Sequence, residues 1–522
     1  MYKIFSLAAL LLTLTAQAQK SADAAQFGKV ISPDALRKHL FYIASKETEG
    51  RGTGTPGIEK AAVYIENQFK EAGLQPGNKG SYRLWYTLYQ DSLLFSSIKV
   101  GSETFTSGYH FTGDLRQGRN HKIDAGEIVF AGYGIDDPAY SDYTGLDVKG
   151  KIVLIADGEP KTGDTTYAIT GTSKRSPWGF NQGMKIRAAE KQGAKAVLVM
   201  VNTFPKFDPN RKINRGPLYP AFTVNDKSPA VYRISDSVAM AILGDQFAAI
   251  KETAKNSGAL KPGSFKKKIT LQFEKQQFEN KACNVIGILP GTDLKDEYVV
   301  ITGHMDHLGK RDTVIYYGAD DDGSGTCAVM QIAHAFAAAK KAGKGPRRSV
   351  VFMTVSGEEM GLWGSEYYTK NPVYPLEKTT VNLNIDMIGR VGNEYAKDQP
   401  DSLNYVYVIG DDKISSDLRP MSEQANNEHV KLKLDYRYND PKDPNRFYYR
   451  SDHYNFAEKG VPILFYFDGV HKDYHRPTDT PDKINYDMYA RRAQLVFHTG
   501  WIMANFDRML KRDTPLNMPS SR

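Results

Sequence analysis

The chain is 522 residues long, with 68 Lys and Arg against 60 Asp and Glu, a formal net charge of +8 and 41% hydrophobic residues. That composition excludes a disordered chain, and so small a charge, with Lys266–Lys268 the nearest approach to a basic run, points away from nucleic acid as a partner. The length fits two to four domains, or one large α/β domain carrying an insertion.

Met1–Lys3 gives a short basic start, residues 4–14 are apolar, and Ala16-Gln17-Ala18 supplies a small-x-small pattern. This reads as a signal peptide over 1–18, cleaved near Ala18, for export to the periplasm or beyond. The apolar run is shorter than the roughly 20 residues that a bilayer requires, and no later stretch is long enough, so no membrane span is expected. No Cys follows the cleavage pattern, which argues against a lipid anchor. Cys283 and Cys327 belong to no CxxC or Cys/His cluster; they read as two small buried residues or, if neighbours in space, a pair.

Apolar spacing predicts helices over Asp34–Ser45 and Ile58–Ala72, the second stopped by Gly73, and Tyr82–Tyr89 alternates as a strand. A polar, charged stretch at Gln117–Asp124 suggests a boundary. The expected division is therefore 19–124 as the N-terminal part of a main domain, 125–263 as an insert, 264–512 as the main core and 513–522 as a tail. Within the insert, Glu127–Gly134, Gly150–Ala156 and Ala196–Met200 read as strands and Met184–Gln192 as a helix. From Ser264 onward the short apolar runs Asn284–Leu289, Tyr298–Thr302, Val350–Val355, Val381–Ile385, Tyr405–Ile409 and Pro462–Phe467 suit buried strands. Helical stretches, Gly325–Lys341 and Asn485–Asp507 among them, alternate with these runs. Alternation of this kind implies an α/β fold with a central mixed, largely parallel sheet flanked by helices.

Five of these segments end in acidic or imidazole side chains: His304 and Asp306, then Asp320-Asp321-Asp322, Glu358-Glu359, Asp386, and His475 with Asp479. Singly, a strand-end His is more often a hydrogen-bonded structural residue, a triple Asp a turn or calcium-type loop, and an exposed Glu-Glu simply solvated. Taken together at the carboxyl ends of strands, so many carboxylates would repel one another unless cations neutralised them. Two imidazoles among carboxylates suit zinc.

The motifs GHMDHLG, GADDDGSG, SGEEMGLWGS, NIDMIGR and HRPTDTPDKI, in that order from Asn284 to Asp507, resemble the M28 family of co-catalytic zinc peptidases. GRGTGTPG and the helix after it extend the resemblance more loosely over Lys29–Gly113. VKGKIVLIADG and KIRAAEKQGAKAVLVMVN resemble a protease-associated domain, a β-rich insert of several exported peptidases. The resemblance implies a zinc exopeptidase fold, two Zn2+ per chain and peptide substrates. It implies that His304 and Asp386 bind one zinc, Glu359 and His475 the other, and that Asp320 bridges them. Glu358 would be the general base and Asp306 a carboxylate orienting His304. A cis peptide would join Asp320 to Asp321, with Asp321 and Asp322 acids of the same loop. Ser451-Asp452-His453 matches the family's SDH segment, and His453 would stabilise the oxyanion. His307, His334 and His498 have no such support and read as structural.

The leading function is an exported aminopeptidase. A carboxypeptidase of the same fold would want a basic pocket, for which Arg390, Arg446 and Arg450 are candidates. A glutaminyl-cyclase-like acyltransferase would work with a single zinc. A catalytically dead ectodomain used for binding would have lost a ligand or the base, and this chain retains the whole set.

Overall fold

The computed structural model describes residues 24–115, 119–204, 215–224, 228–395 and 401–518; the expected signal segment 1–18 and the end of the 513–522 tail lie outside them. The chain divides into two compact units, one formed by the described residues up to Tyr86 together with those from Lys281 onward, the other by Thr87–Asn280.

In the first unit, α1 (Pro33–Ile43) starts as its sequence suggests, with the Ser32 hydroxyl accepting from the Ala35 N–H and Pro33 in the first turn. Helix α2 (Pro56–Ala72) stops at Gly73, whose φ of 82° is the left-handed conformation that glycine adopts without penalty. Strand β1 (Arg83–Val100) then carries the chain out of this unit. It is far longer than the expected Tyr82–Tyr89.

The second unit is built on a six-stranded sheet. In chain order its strands are β2 (Phe111–Gly113), β3 (Ile128–Phe130), β4 (Ile152–Ala156), β5 (Ala196–Met200), β6 (Ala230–Ile234) and β7 (Gly263–Phe265), in spatial order β7-β3-β4-β5-β6-β2. The four central strands are parallel and the two edges antiparallel. Residues 152–156 and 196–200 are buried throughout, as their unbroken apolar sequences require. Within the polar stretch expected to mark a boundary, His121–Ala125 forms a strand paired with Ile269–Phe273 inside this unit. The unit is wider than 125–263 because two long strands, β1 and the returning β8 (Ile269–Leu289), each have one end in it.

Back in the first unit, β9 (Leu294–His304), α3 (Gly325–Lys341), β10 (Arg348–Val355), α4 (Trp363–Lys370), β11 (Thr379–Ile385), β12 (Tyr405–Ile409), β13 (Lys433–Asp435), β14 (Ile463–Phe467) and α5 (Tyr486–Asn505) complete the fold. The sheet order is β8-β10-β9-β11-β14-β12-β13. Strands β10, β9, β11 and β14 are mutually parallel, while β8 runs against β10 and β12 against β14, so the sheet is mixed around a parallel centre. Side chains alternate between its faces: Val299 and Ile301 pack into one apolar cluster with α1, α2, α3 and α5, and Val300 into another with Tyr368 of α4. Cys283 and Cys327 are buried and free.

Candidate metal centre

The register of the parallel strands decides where the site lies. His304 pairs with Val355, Thr302 with Asn384 and Ile385 with Tyr466, so the chain leaves all four strands at one edge, their carboxyl ends. His304 is the last residue of β9. Glu358 and Glu359 follow β10, Asp386 follows β11, and His475 lies on the loop after β14. Gly357 turns the chain towards the two glutamates with a φ of 75°; a Cβ there would lie 3.0 Å from both Trp363 and the Tyr86 hydroxyl.

Asp321 sits at the middle. Its Oδ1 is 3.3 Å from His304 Nε2, and its Oδ2 is 3.1 Å from His475 Nε2 and 3.7 Å from His307 Nδ1. On one side, His304 Nε2 also lies 3.6 Å from Asp386 Oδ1 and 3.8 Å from Glu358 Oε2. On the other, Glu359 Oε2 is 3.1 Å from His475 Nε2, and Glu359 Oε1 is 2.8 Å from His307 Nδ1. The carboxylate between the two imidazoles is therefore that of Asp321 and not Asp320. Asp320 turns away, its Oδ1 accepting from the Gly389 N–H at 2.7 Å and its Oδ2 lying 3.2 Å from His471 Nε2. The cis peptide lies one residue later than expected, between Asp321 and Asp322. Three identical side chains in a row on one tight turn point in three directions, and spacing alone cannot say which faces the imidazoles.

Asp322 is occupied by backbone. It accepts from the N–H groups of His304, Gly325 and Met387, pinning the ends of β9 and β11 to the start of α3. Asp306 differs from its expected role. His304 Nδ1 lies 3.1 Å from the Asp306 carbonyl oxygen but 3.8 Å from its carboxylate. That carboxylate accepts instead from the Glu358 N–H at 3.1 Å and the Thr53 hydroxyl at 2.9 Å, so it positions the backbone of Glu358. The neighbouring Arg51, fully buried, donates at 2.8 Å to the carbonyls of Ile43, Met305, Tyr317 and Gly318. The GRGTGTPG segment thus braces both loops that carry the cluster.

The cluster's electrostatics call for cations. Burial opposes a charge on His304, yet Glu358 and Asp386 outweigh it and hold its pKa well above the usual value. Burial likewise opposes charge on His475, but Asp321 and Glu359 raise its pKa to about 10. His304 Nε2 and Asp321 Oδ2 are buried without a hydrogen bond among the described residues. Two zinc donors at bond lengths of about 2.0–2.1 Å lie about 3.3 Å apart across a tetrahedral edge. The 3.1–3.6 Å spacings around Asp321 match that edge, and an all-nitrogen and oxygen donor set suits zinc.

A cleft opens beside the cluster. Asp321, Glu358 and Asp386 line one part, Met387, Phe447, Phe465, Phe467 and Val470 the apolar part, and Arg450 and Tyr474 complete it. His453 is not in it. Its Nε2 lies 2.8 Å from the Tyr448 carbonyl oxygen, its ring stacks on Phe465 at 4.6 Å, and burial lowers its pKa to about 3. Sequence reasoning missed Tyr474, which stacks on His475 at 3.9 Å and accepts from Arg450 Nη2 at 3.1 Å. Its place directly before a predicted ligand was the available signal. Of the candidate arginines, Arg390 is bound to Asp473 at 3.0 Å and Arg446 lies over Tyr449. Only Arg450 lines the cleft. His307, read as structural, faces Asp321 and Glu359, whereas His334 and His498 lie elsewhere.

Residues 284–500 match the profile of Peptidase family M28, and residues 123–230 match the PA domain. Among curated proteins, a probable glutamate carboxypeptidase of Zea mays is 31% identical over 132 residues, 25% of this chain and 17% of that one. A glutamate carboxypeptidase 2 homolog of Caenorhabditis briggsae is 23% identical over 420 residues, 70% of this chain and 52% of its own. An aminopeptidase of Rattus norvegicus is 33% identical over 108 residues, 20% of this chain and 14% of that one. The chain thus spans about half or less of the length of these relatives. The fold is similar to that of an aminopeptidase from Aneurinibacillus sp. strain AM-1, with a TM-score of 0.51 and 20% identity over 95% of this chain and 98% of that one.

Proposed function

We propose, from the match of residues 284–500 to peptidase family M28 and of residues 123–230 to the PA domain, that this chain is an exported two-zinc aminopeptidase. The observation that carries the two-metal reading is the Asp321 carboxylate, one oxygen facing His304 and the other His475. His304, Asp386 and Asp321 would hold one ion, and Asp321, Glu359 and His475 the other. Zinc, when bound, supplies Lewis-acid polarisation of the scissile carbonyl and acidifies water.

The chain's own groups do the rest. Glu358 lines the cleft beside His304 and is the base that takes the water's proton and returns it to the leaving amine. Burial raises its pKa well above the ordinary carboxylate value, which suits a group that must both accept and give up a proton. Asp306 fixes the backbone from which it projects. Tyr474 and Arg450 are the cleft residues whose side chains donate hydrogen bonds, and they face the developing oxyanion or the substrate backbone. The acidic part of the cleft favours a free α-ammonium, and the aromatic part a neighbouring apolar side chain. Export rests on the basic start, apolar run and Ala16-Gln17-Ala18 of the first eighteen residues.

One short peptide, offered free, N-acetylated and C-amidated, with and without a chelator, tests the reading by mass spectrometry. Residues should leave the N-terminus, acetylation and chelator should each stop the loss, and Glu358→Gln should lower kcat by about 10²–10⁴ with zinc retained. Arg450 in the cleft favours a second reading, a carboxypeptidase; loss from the other end, blocked by amidation, would establish it instead.

A further inference from the structure

His307 is not among the donors assigned above, yet it carries the same signature as His304. Its side chain is fully buried, and Nδ1 lies 2.8 Å from Glu359 Oε1 and 3.7 Å from Asp321 Oδ2. Like His304 Nε2, this nitrogen makes no directed hydrogen bond to either carboxylate among the described residues, although both oxygens are close. A ring nitrogen aimed between two carboxylates, and at neither, is oriented as a metal ligand is. The donor atoms of His307, Asp321 and Glu359 all lie within 4.8 Å of one another.

The second imidazole on that side agrees. Two imidazoles bound to one zinc at about 2.0–2.1 Å cannot have ring centroids more than about 6.4 Å apart. Those of His307 and His475 are 5.9 Å apart. The fold also makes room for the ring: a Cβ on Gly318 would lie 2.4 Å from His307 Cγ, so only glycine fits there, and the His307 N–H donates to the Arg51 carbonyl at 3.2 Å.

We propose that His307 Nδ1 is a further protein donor to the second metal position, alongside Asp321, Glu359 and His475. This rests on the two-zinc reading. It makes the two positions unequal: four protein donors close the second, while the first keeps three and an open place next to Glu358. Closed positions are those that hold a metal for structure, and open ones admit water or substrate.

Metal binding by the full chain provides the test. Wild type, His307→Ala and His307→Gln, which keeps the volume, are stripped of metal and titrated with zinc against a competing chelator. Cobalt(II) is then added in equivalents while its visible spectrum is followed. Wild type should take two zinc ions. Both variants should bind the first normally and the second at least about tenfold more weakly, and the cobalt spectrum of the second equivalent should change. Free imidazole should restore the second equivalent in His307→Ala. An unchanged second affinity and spectrum in both variants would overturn the proposal, as would a weakened site that imidazole leaves unaltered in His307→Ala while His307→Gln binds normally. Wild type that takes fewer than two ions would instead overturn the two-zinc reading itself.

Discussion

At the scale of single residues, the triple acid Asp320-Asp321-Asp322 shows how three like side chains acquire three tasks. Asp322 binds three backbone N–H groups, Asp320 one N–H while facing His471, and Asp321 faces the two imidazoles. Asp321→Asn should therefore remove one formal charge shared by both metal positions and lower the zinc content measured after dialysis, with activity falling at least about a hundredfold. Asp320→Asn keeps an acceptor for the Gly389 N–H and should retain both ions. Equal zinc loss in the two variants would contradict the geometry. That the site lies at strand ends was legible from the sequence. Which of the three acids lies between the imidazoles was not, because a turn of adjacent identical residues carries no periodicity from which to read direction.

At the scale of elements, the segment between α1 and α2 is part of the site's support. Arg51 satisfies four carbonyls at once, and Thr53 holds the carboxylate that in turn holds Glu358. Deleting the guanidinium leaves those carbonyls buried without a donor, so Arg51→Ala should destabilise the protein by at least about 3 kcal/mol in denaturant unfolding. Thr53→Val removes a single hydrogen bond worth about 1 kcal/mol and should leave stability nearly intact while kcat falls more than KM changes. The sequence identified this segment only through a loose resemblance. Apart from the nearby Ile43, its partners lie more than 250 residues away along the chain, beyond the reach of any local pattern. The strand ends themselves were legible, since the apolar runs Ala196–Met200 and Tyr405–Ile409 coincide with β5 and β12.

At the scale of the molecule, three histidines outside the cluster bear on acid stability. Burial lowers the pKa of His39 to about 4 and those of His453 and His498 to about 3. In each case the unfolded chain takes up a proton first as the pH falls through the ordinary value of about 6.5. The stability these groups contribute is whole above that pH and is lost as acidification proceeds towards the lowered folded value. At pH 5 each buried neutral histidine costs about 2 kcal/mol of stability relative to pH 7, at 1.36 kcal/mol per pH unit. In metal-free protein, His498→Gln should shrink the difference in urea stability between pH 7 and pH 5 by about that amount. A slope equal to that of wild type would show that His498 titrates normally in the folded chain.

By itself the sequence determined the α/β class, most of the buried strands, the approximate course of several helices with the stop at Gly73, and the set of acidic and imidazole residues gathered at strand ends. These follow from local rules: apolar periodicity, caps and the physical need to neutralise crowded carboxylates. Only the tertiary structure decided that Asp321 lies between the imidazoles, that His307 faces Glu359 beside them, that His453 stays behind Phe465 while Tyr474 takes a place in the cleft, and that the second unit begins within a long strand. Each of these depends on which way a side chain turns on a loop, or on pairing between distant segments, and neither leaves a trace in the order of residues along the chain.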